Sequence, residues 1–259
     1  MQFRHLMLEQ QEAVAILTLN RPPANALSQE IFADLTEALD YVEKESSIKV
    51  LLLKGEGKFF AAGADIKEFT TVETPEQSKE MARVGQRVFN RMEAYPKPII
   101  AAIHGAALGG GLELAMGCHI RFATPTAKLG LPELNLGLIP GFAGTQRLPR
   151  IIGKAKALEL LFTSQPISGE EAKQLGLVNQ CFSEEELFDK SLAFAQTVAQ
   201  KSAISLKFLL ETVRIGETEG FQAGEEKEAE LFGEIFQTYD AKEGIQAFIE
   251  KRKPTFKDK

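Results

Sequence analysis

Ala13 to Asn20 (AVAILTLN), Ile48 to Lys54 and Ile99 to Ile103 are nearly unbroken apolar runs of strand length. Such runs mark strands buried on both faces. Ile120 to Ala123 is a shorter fourth. Between them the apolar period lengthens to that of a helix. Gln29 to Glu43 places Ile31, Leu35, Leu39 and Val42 on one face behind Ser28, a good N-cap. Pro75 to Ala94 predicts a long helix with proline in its first turn, stopped by Pro96 and Pro98. Strands near residues 14, 50, 100 and 120 thus alternate with helices, which predicts an α/β core of similar units. From Ala143 onward the pattern is almost wholly helical, with candidates at 143–150, 155–163, 169–175, 184–200, 202–214, 221–237 and 240–251. The last of these carry apolar stripes (Leu231, Ile235, Phe236; Ile245, Phe248, Ile249) suited to core or subunit packing. The expected division is a core over residues 1–195 and a helical oligomerisation region over 196–259.

The stretch His104-Gly105-Ala106-Ala107-Leu108-Gly109-Gly110-Gly111-Leu112-Glu113 follows the third buried strand and runs into the helical Leu112–Met116. It is expected to be a loop whose glycines open a helix. Glycines let backbone approach a ligand closely, and a helix start presents unpaired N–H groups with positive partial charge. Together they can hold a phosphate or a developing oxyanion. Glu113 then stands about one turn in. Two readings fit it: an acid/base group beside an anion site, or a glutamate that merely complements the helix dipole.

Composition narrows the choices. The 259 residues are 44% hydrophobic and 25% charged, an ordinary globular profile. The net charge of −6 argues against non-specific binding to nucleic acid or anionic membranes. No apolar run approaches the roughly 20 residues of a membrane span. Residues 1–8 lack a signal-peptide core and an Arg/Ser-rich character, so a cytoplasmic protein, or a trimmed mature form, is expected. Cys118 and Cys181 form no CxxC pair and are expected to be free, buried thiols; His5, His104 and His119 have no ligand spacing, so no metal is expected. The glycines match neither a dinucleotide fingerprint nor a phosphate loop.

A second carboxylate, Glu133, lies between Pro132 and the apolar Leu134 to Ile139. It reads either as a surface-loop glutamate or as an acid whose pKa is raised by apolar surroundings. Pro140 to Pro149 is a further glycine-containing entry to a helix. Taken with Pro23-Ala24-Asn25-Ala26-Leu27, Phe60-to-Lys67, His104-to-Cys118, Leu129-to-Arg147 and Phe248-to-Lys257, these segments resemble the enoyl-CoA hydratases of the crotonase superfamily. Five segments in the right order, spread over residues 23–257, make the resemblance specific to nearly the whole chain.

The resemblance implies an α/β fold, a crotonase-like spiral of ββα units with a C-terminal helical trimerisation region. It implies a homotrimer or a dimer of trimers, an acyl-CoA substrate and no cofactor. The N–H groups of Ala64 and Gly110 match the oxyanion hole. Glu113 matches the group that activates water, and Glu133 the one that helps deliver the Cα proton. Ala62, Ala64, Asp65, Ile66, Lys67, Leu108, Gly109, Pro132 and Gly141 match substrate-binding positions. Phe248 and Lys251 match residues that complete a neighbouring subunit's CoA site. The expected activity is hydration of 2-enoyl-CoA thioesters in fatty-acid β-oxidation. The alternatives are a Δ3,Δ2-enoyl-CoA isomerase, a branched-chain hydratase, or a non-catalytic or RNA-binding member. Two departures stand out. His119 occupies a position that is often Asp and reads as structural. Phe142 stands where a small residue is common, which is expected to narrow the acyl pocket.

Overall fold

The computed structural model describes residues 3–259. The chain starts with an antiparallel pair, Leu6–Gln11 (β1) on Val14–Leu19 (β2). All six β2 residues are buried, whereas β1 buries little beyond Leu6 and lies at the sheet edge. Gln29–Lys44 (α1) follows, its Ser28 side chain accepting from Ile31 N–H as a cap. Val50–Gly55 (β3) pairs in parallel with β2. A four-residue helix, Ile66–Phe69 (α2), precedes Pro75–Glu93 (α3), which opens with a Thr74/Gln77 capping box. Ile99–Ile103 (β4) leads to Ala106–Leu108 (β5), then Gly110–Met116 (α4), Ile120–Ala123 (β6) and Lys128–Gly130 (β7). Glu133–Leu136 forms one 3-10 turn. Beyond it come Gly144–Ile152 (α5), Lys154–Thr163 (α6), Ile167–Ser168 (β8), Gly169–Gln174 (α7) and Gln180–Cys181 (β9). Glu184–Ala199 (α8), Ala203–Glu219 (α9), Phe221–Ile235 (α10) and Tyr239–Ile249 (α11) complete the chain.

Two sheets result. The larger has the order β1-β2-β3-β4-β6-β9, parallel after its first pair. The smaller has the order β5-β7-β8, extended by a parallel bridge between Ala61 and Ala107. The chain repeatedly visits the large sheet, then the small one, then a helix, as in β4-β5-α4 and β6-β7-α5: this is the spiral of ββα units that the resemblance implies. Period-2 alternation sends Leu17, Leu51, Leu53, Ile99 and Ile103 into the main core with α1 and α3. It sends Ile16, Val50, Leu52 and Ile100 to the other face, against Leu187, Ala195 and Ala199 of α8.

Several expectations need correction. A strand, β1, precedes the one expected near residue 14. The expected loop at 104–109 contains β5, held by pairing of Ala106 and Leu108 with Lys128 and Gly130. The region after Ala143 is not wholly helical, because β8 and β9 add to the two sheets. The helix expected over 202–214 runs to Glu219. Cys118 is buried, but Cys181 is only partly so. Among the described residues no helix is long and apolar enough to cross a membrane.

Candidate active site

Helices α2 and α3, the starts of α4 and α5 and the loops between them line a cavity of about 850 Å³. Nine of the residues singled out in the sequence line it: Ala62, Ala64, Ile66, Gly109, Gly110, Glu113, Pro132, Glu133 and Gly141. They arrive from four places, the loop before α2, the start of α4, the 3-10 turn and the loop before α5.

The first loop is braced from below. Ala62 N–H donates to Ala24 O (3.0 Å), Leu27 N–H to Gly63 O (2.8 Å) and Asp65 N–H to Leu27 O (2.8 Å). Asn25 is the hub: its Oδ1 accepts from Arg21 N–H (2.9 Å), and its Nδ2 donates to Glu56 O (2.9 Å) and Phe59 O (2.8 Å). This bracing leaves Ala64 N–H pointing away from the ladder. Gly110 N–H is the first of α4 and has no intrahelical acceptor. Among the described residues neither group donates to a protein acceptor. They are close neighbours: a Cβ on Gly110 would lie 3.3 Å from Ala64 N and 3.0 Å from the Phe142 ring. Gly109, with φ 51°, turns the chain from β5 into the helix, and a Cβ there would sit 2.9 Å from Glu133 Oε1.

Glu113 is 1% exposed. Its Oε1 accepts from Gly144 N–H (2.6 Å) and Phe142 N–H (2.8 Å). Burial pushes its pKa up to about 7; the Gly144 and Phe142 N–H groups and Arg147 oppose the rise, and Glu133 adds to it. Glu133 is half-buried, and burial raises its pKa too. Its Oε2 is one of the few buried polar atoms, among the described residues, with no hydrogen-bond partner. The site therefore holds two carboxylates of different character. Glu113 is buried with two N–H donors on one oxygen, which only partly offset the cost of its charge, whereas Glu133 has an oxygen with no partner.

The other expected residues fall outside the cavity wall. Asp65 caps α2 through Lys67 N–H (3.1 Å) and pairs with Arg21 Nη2 (2.5 Å); Lys67 is exposed on α2. Leu108 lies behind the wall, with its N–H on Ala61 O (3.1 Å). Phe248 is 86% exposed on α11, and Lys251 is exposed just beyond it, both away from their own chain's cavity. His119 is also outside; its Nδ1 accepts from Ile99 N–H (2.9 Å), and burial lowers its pKa to about 4. Of the apolar segment after Glu133, Leu136, Leu138 and Ile139 are exposed and line the same cavity as Glu133.

Sequence reading missed the wall that α3 supplies, Ser78, Met81, Ala82 and Gln86. The signal was present as small or polar residues at helical spacing (Ser78, Ala82, Gly85), in contrast to the bulky Val88, Phe89 and Met92 further on. Phe142 belongs to the wall as well. Its ring stacks edge-on against Phe32 (5.2 Å) and Phe89 (5.8 Å) and occupies the space a Cβ on Gly85 would need.

A pair of unpartnered N–H groups beside one buried and one half-buried carboxylate is an arrangement that can hold developing oxyanion charge next to acid/base groups. Comparison with known proteins gives this arrangement a family. The sequence pattern of the enoyl-CoA hydratase/isomerase family matches residues 9–259, and the chain belongs to that family. A probable enoyl-CoA hydratase of Bacillus subtilis is 56% identical over 245 residues, covering 94% of this chain and 95% of the relative. The crotonyl-CoA hydratase of Syntrophomonas wolfei is 40% identical over 258 residues, 99% of both chains. The crystal structure of an enoyl-CoA hydratase from Bacillus anthracis superposes with a TM-score of 0.94 at 36% identity, covering 99% of this chain and 100% of that one.

Proposed function

We propose that the protein is an enoyl-CoA hydratase that adds water across the 2,3 double bond of 2-enoyl-CoA thioesters to give 3-hydroxyacyl-CoA. The observation that carries this reading is the convergence of Glu113, Glu133 and the free N–H groups of Ala64 and Gly110 on one cavity. The thioester carbonyl accepts from the two N–H groups. As the C3–OH bond forms, charge moves through C2 onto that oxygen, and preorganised donors stabilise it; losing one costs roughly 3–4 kcal/mol. In the productive form Glu113 carries the charge and takes a proton from the attacking water. Glu133 carries the proton in that form and gives it to C2. The proton gained by Glu113 and that lost by Glu133 then re-equilibrate through solvent, and no electrons are exchanged.

Ala62, Ile66, Gly109, Pro132 and Gly141 shape the space around the thioester, and Asp65, Lys67 and Leu108 support it from behind or extend it towards the nucleotide. Residues 196–259 act as an oligomerisation region, in a homotrimer or a dimer of trimers. Phe248 and Lys251 then complete the CoA site of an adjoining copy, which accounts for so large an exposed ring. A cytoplasmic enzyme of fatty-acid β-oxidation is the setting that fits these features. Turnover of straight-chain 2-enoyl, 3-enoyl and methyl-branched 2-enoyl thioesters tests the reading. The straight 2-enoyl compounds should be hydrated fastest. Preferential conversion of the 3-enoyl thioester to its 2-enoyl isomer would replace hydration with isomerisation.

A further inference from the structure

Gln86 projects from α3 to the cavity wall, half-buried, and its Nε2 donates to Gly141 O (2.8 Å). Gly141 C=O and Phe142 N–H are the two ends of one trans peptide, so they point in opposite directions. The N–H end is the one that donates to Glu113 Oε1 (2.8 Å). The next carbonyl, Phe142 O, accepts from Arg147 Nη1 (2.9 Å), and Arg147 is itself fixed by Glu93 and Asn90. Between these grips Ala143 sits at φ 73°, in the left-handed region that a residue with a Cβ seldom adopts. A segment so bent keeps its shape because neighbours hold it.

We propose that Gln86 is a positioning residue for Glu113: by gripping the carbonyl end of the Gly141–Phe142 peptide, it aims the N–H end at the carboxylate. A donor on that carbonyl also polarises the peptide and strengthens the bond its N–H makes. The proposal rests on the hydratase reading, in which Glu113 is the base. It differs from the part played by Arg147, which is buried and ties α5 to α3. Gln86 makes a single bond to the loop among the described residues, and its side chain faces the space an acyl group would fill.

The charged groups facing Glu113 are Glu133 from the 3-10 turn and Arg147 from α5, with Glu93 of α3 paired to Arg147. None of them changes when Gln86 is replaced, so a shift in the titration of Glu113 reports on its N–H donors. The Phe142 and Gly144 donors favour the charged form, and loosening them raises the pKa.

The test compares Gln86→Leu and Gln86→Met, both of which remove the donor at similar length without adding a charge, with the wild type. Two quantities are read: the pH profile of kcat and KM, and the midpoint of the Glu113 carboxyl in 13C-NMR titration, with Glu113→Gln as the blank. The expected result is a kcat lower by roughly 10- to 100-fold with KM little changed. The acidic limb and the NMR midpoint both move to higher pH. Either variant alone suffices if the other does not fold. An unmoved midpoint would overturn the proposal, whether kcat falls or KM rises. If the wild type hydrates no enoyl thioester, the hydratase reading fails by itself, while the NMR midpoint still decides whether Gln86 positions Glu113.

Discussion

Glu113 shows most clearly how one environment serves both folding and chemistry. Its carboxyl is ordinary in the unfolded chain, near 4.5, and is raised to about 7 by burial in the folded one. The folded state therefore holds a proton that the unfolded state releases between those values. The stability this gives is complete below about 4.5 and is lost as pH rises through about 7. The loss amounts to on the order of 3 kcal/mol. Glutamine at the same position keeps an oxygen that can accept from both Phe142 and Gly144 and removes the charge. From pH 5 to 8 the stability of Glu113→Gln relative to the wild type should therefore rise, the titration of His119, which works in the opposite sense, being common to both proteins. Scanning calorimetry across the range reads this directly; parallel curves for the two proteins would show that the carboxyl is not so perturbed.

At the scale of elements, the site is held by short segments rather than by long helices. The segment around Asn25 supports the loop that carries Ala64, and Asn25 itself lies at φ 53°, which asparagine tolerates better than alanine. Asn25→Ala would strand the Arg21 N–H and the Glu56 and Phe59 carbonyls and place a Cβ residue in an unfavourable conformation. The expected cost is about 3 kcal/mol, read as a lower urea midpoint, with weakened substrate binding as the Ala62–Asp65 loop loosens. A change below about 1 kcal/mol would show that the loop does not depend on this hub. The same contrast between long and short elements governs what was legible in the sequence. Strands β2, β3, β4 and β6 announce themselves because both faces are buried. β5 and β7 have three residues and β8 and β9 have two, too few for any period; they exist because a distant segment pairs with them. β1 escaped notice because an edge strand with one buried residue has no apolar run. Glu113 could be picked out from its helix-start context. Glu133 could not be told from a loop glutamate until the fold carried Gly109 against it, and the α3 wall became visible only when its small residues met the cavity.

For the whole molecule, the two sheets bring residues 62–66, 109–113, 132–133 and 141–144 to one place, although they are scattered over more than eighty positions of sequence. Exposed apolar residues fall in two groups: Ile66, Leu136, Leu138 and Ile139 line the cavity, and Leu209, Phe221, Phe232, Phe248 and Ile249 face outward on α9 to α11. The central claim, that two glutamates divide the addition of water, rests on Glu113 and Glu133 sharing one cavity. The most direct measurement follows the loss of the conjugated enoyl-thioester absorbance of crotonyl-CoA with the wild type, Glu113→Gln and Glu133→Gln. The account predicts rapid loss with the wild type and rates roughly 10²–10⁴-fold lower with each folded variant. Near-full activity in either variant, or no loss with the wild type, would contradict it.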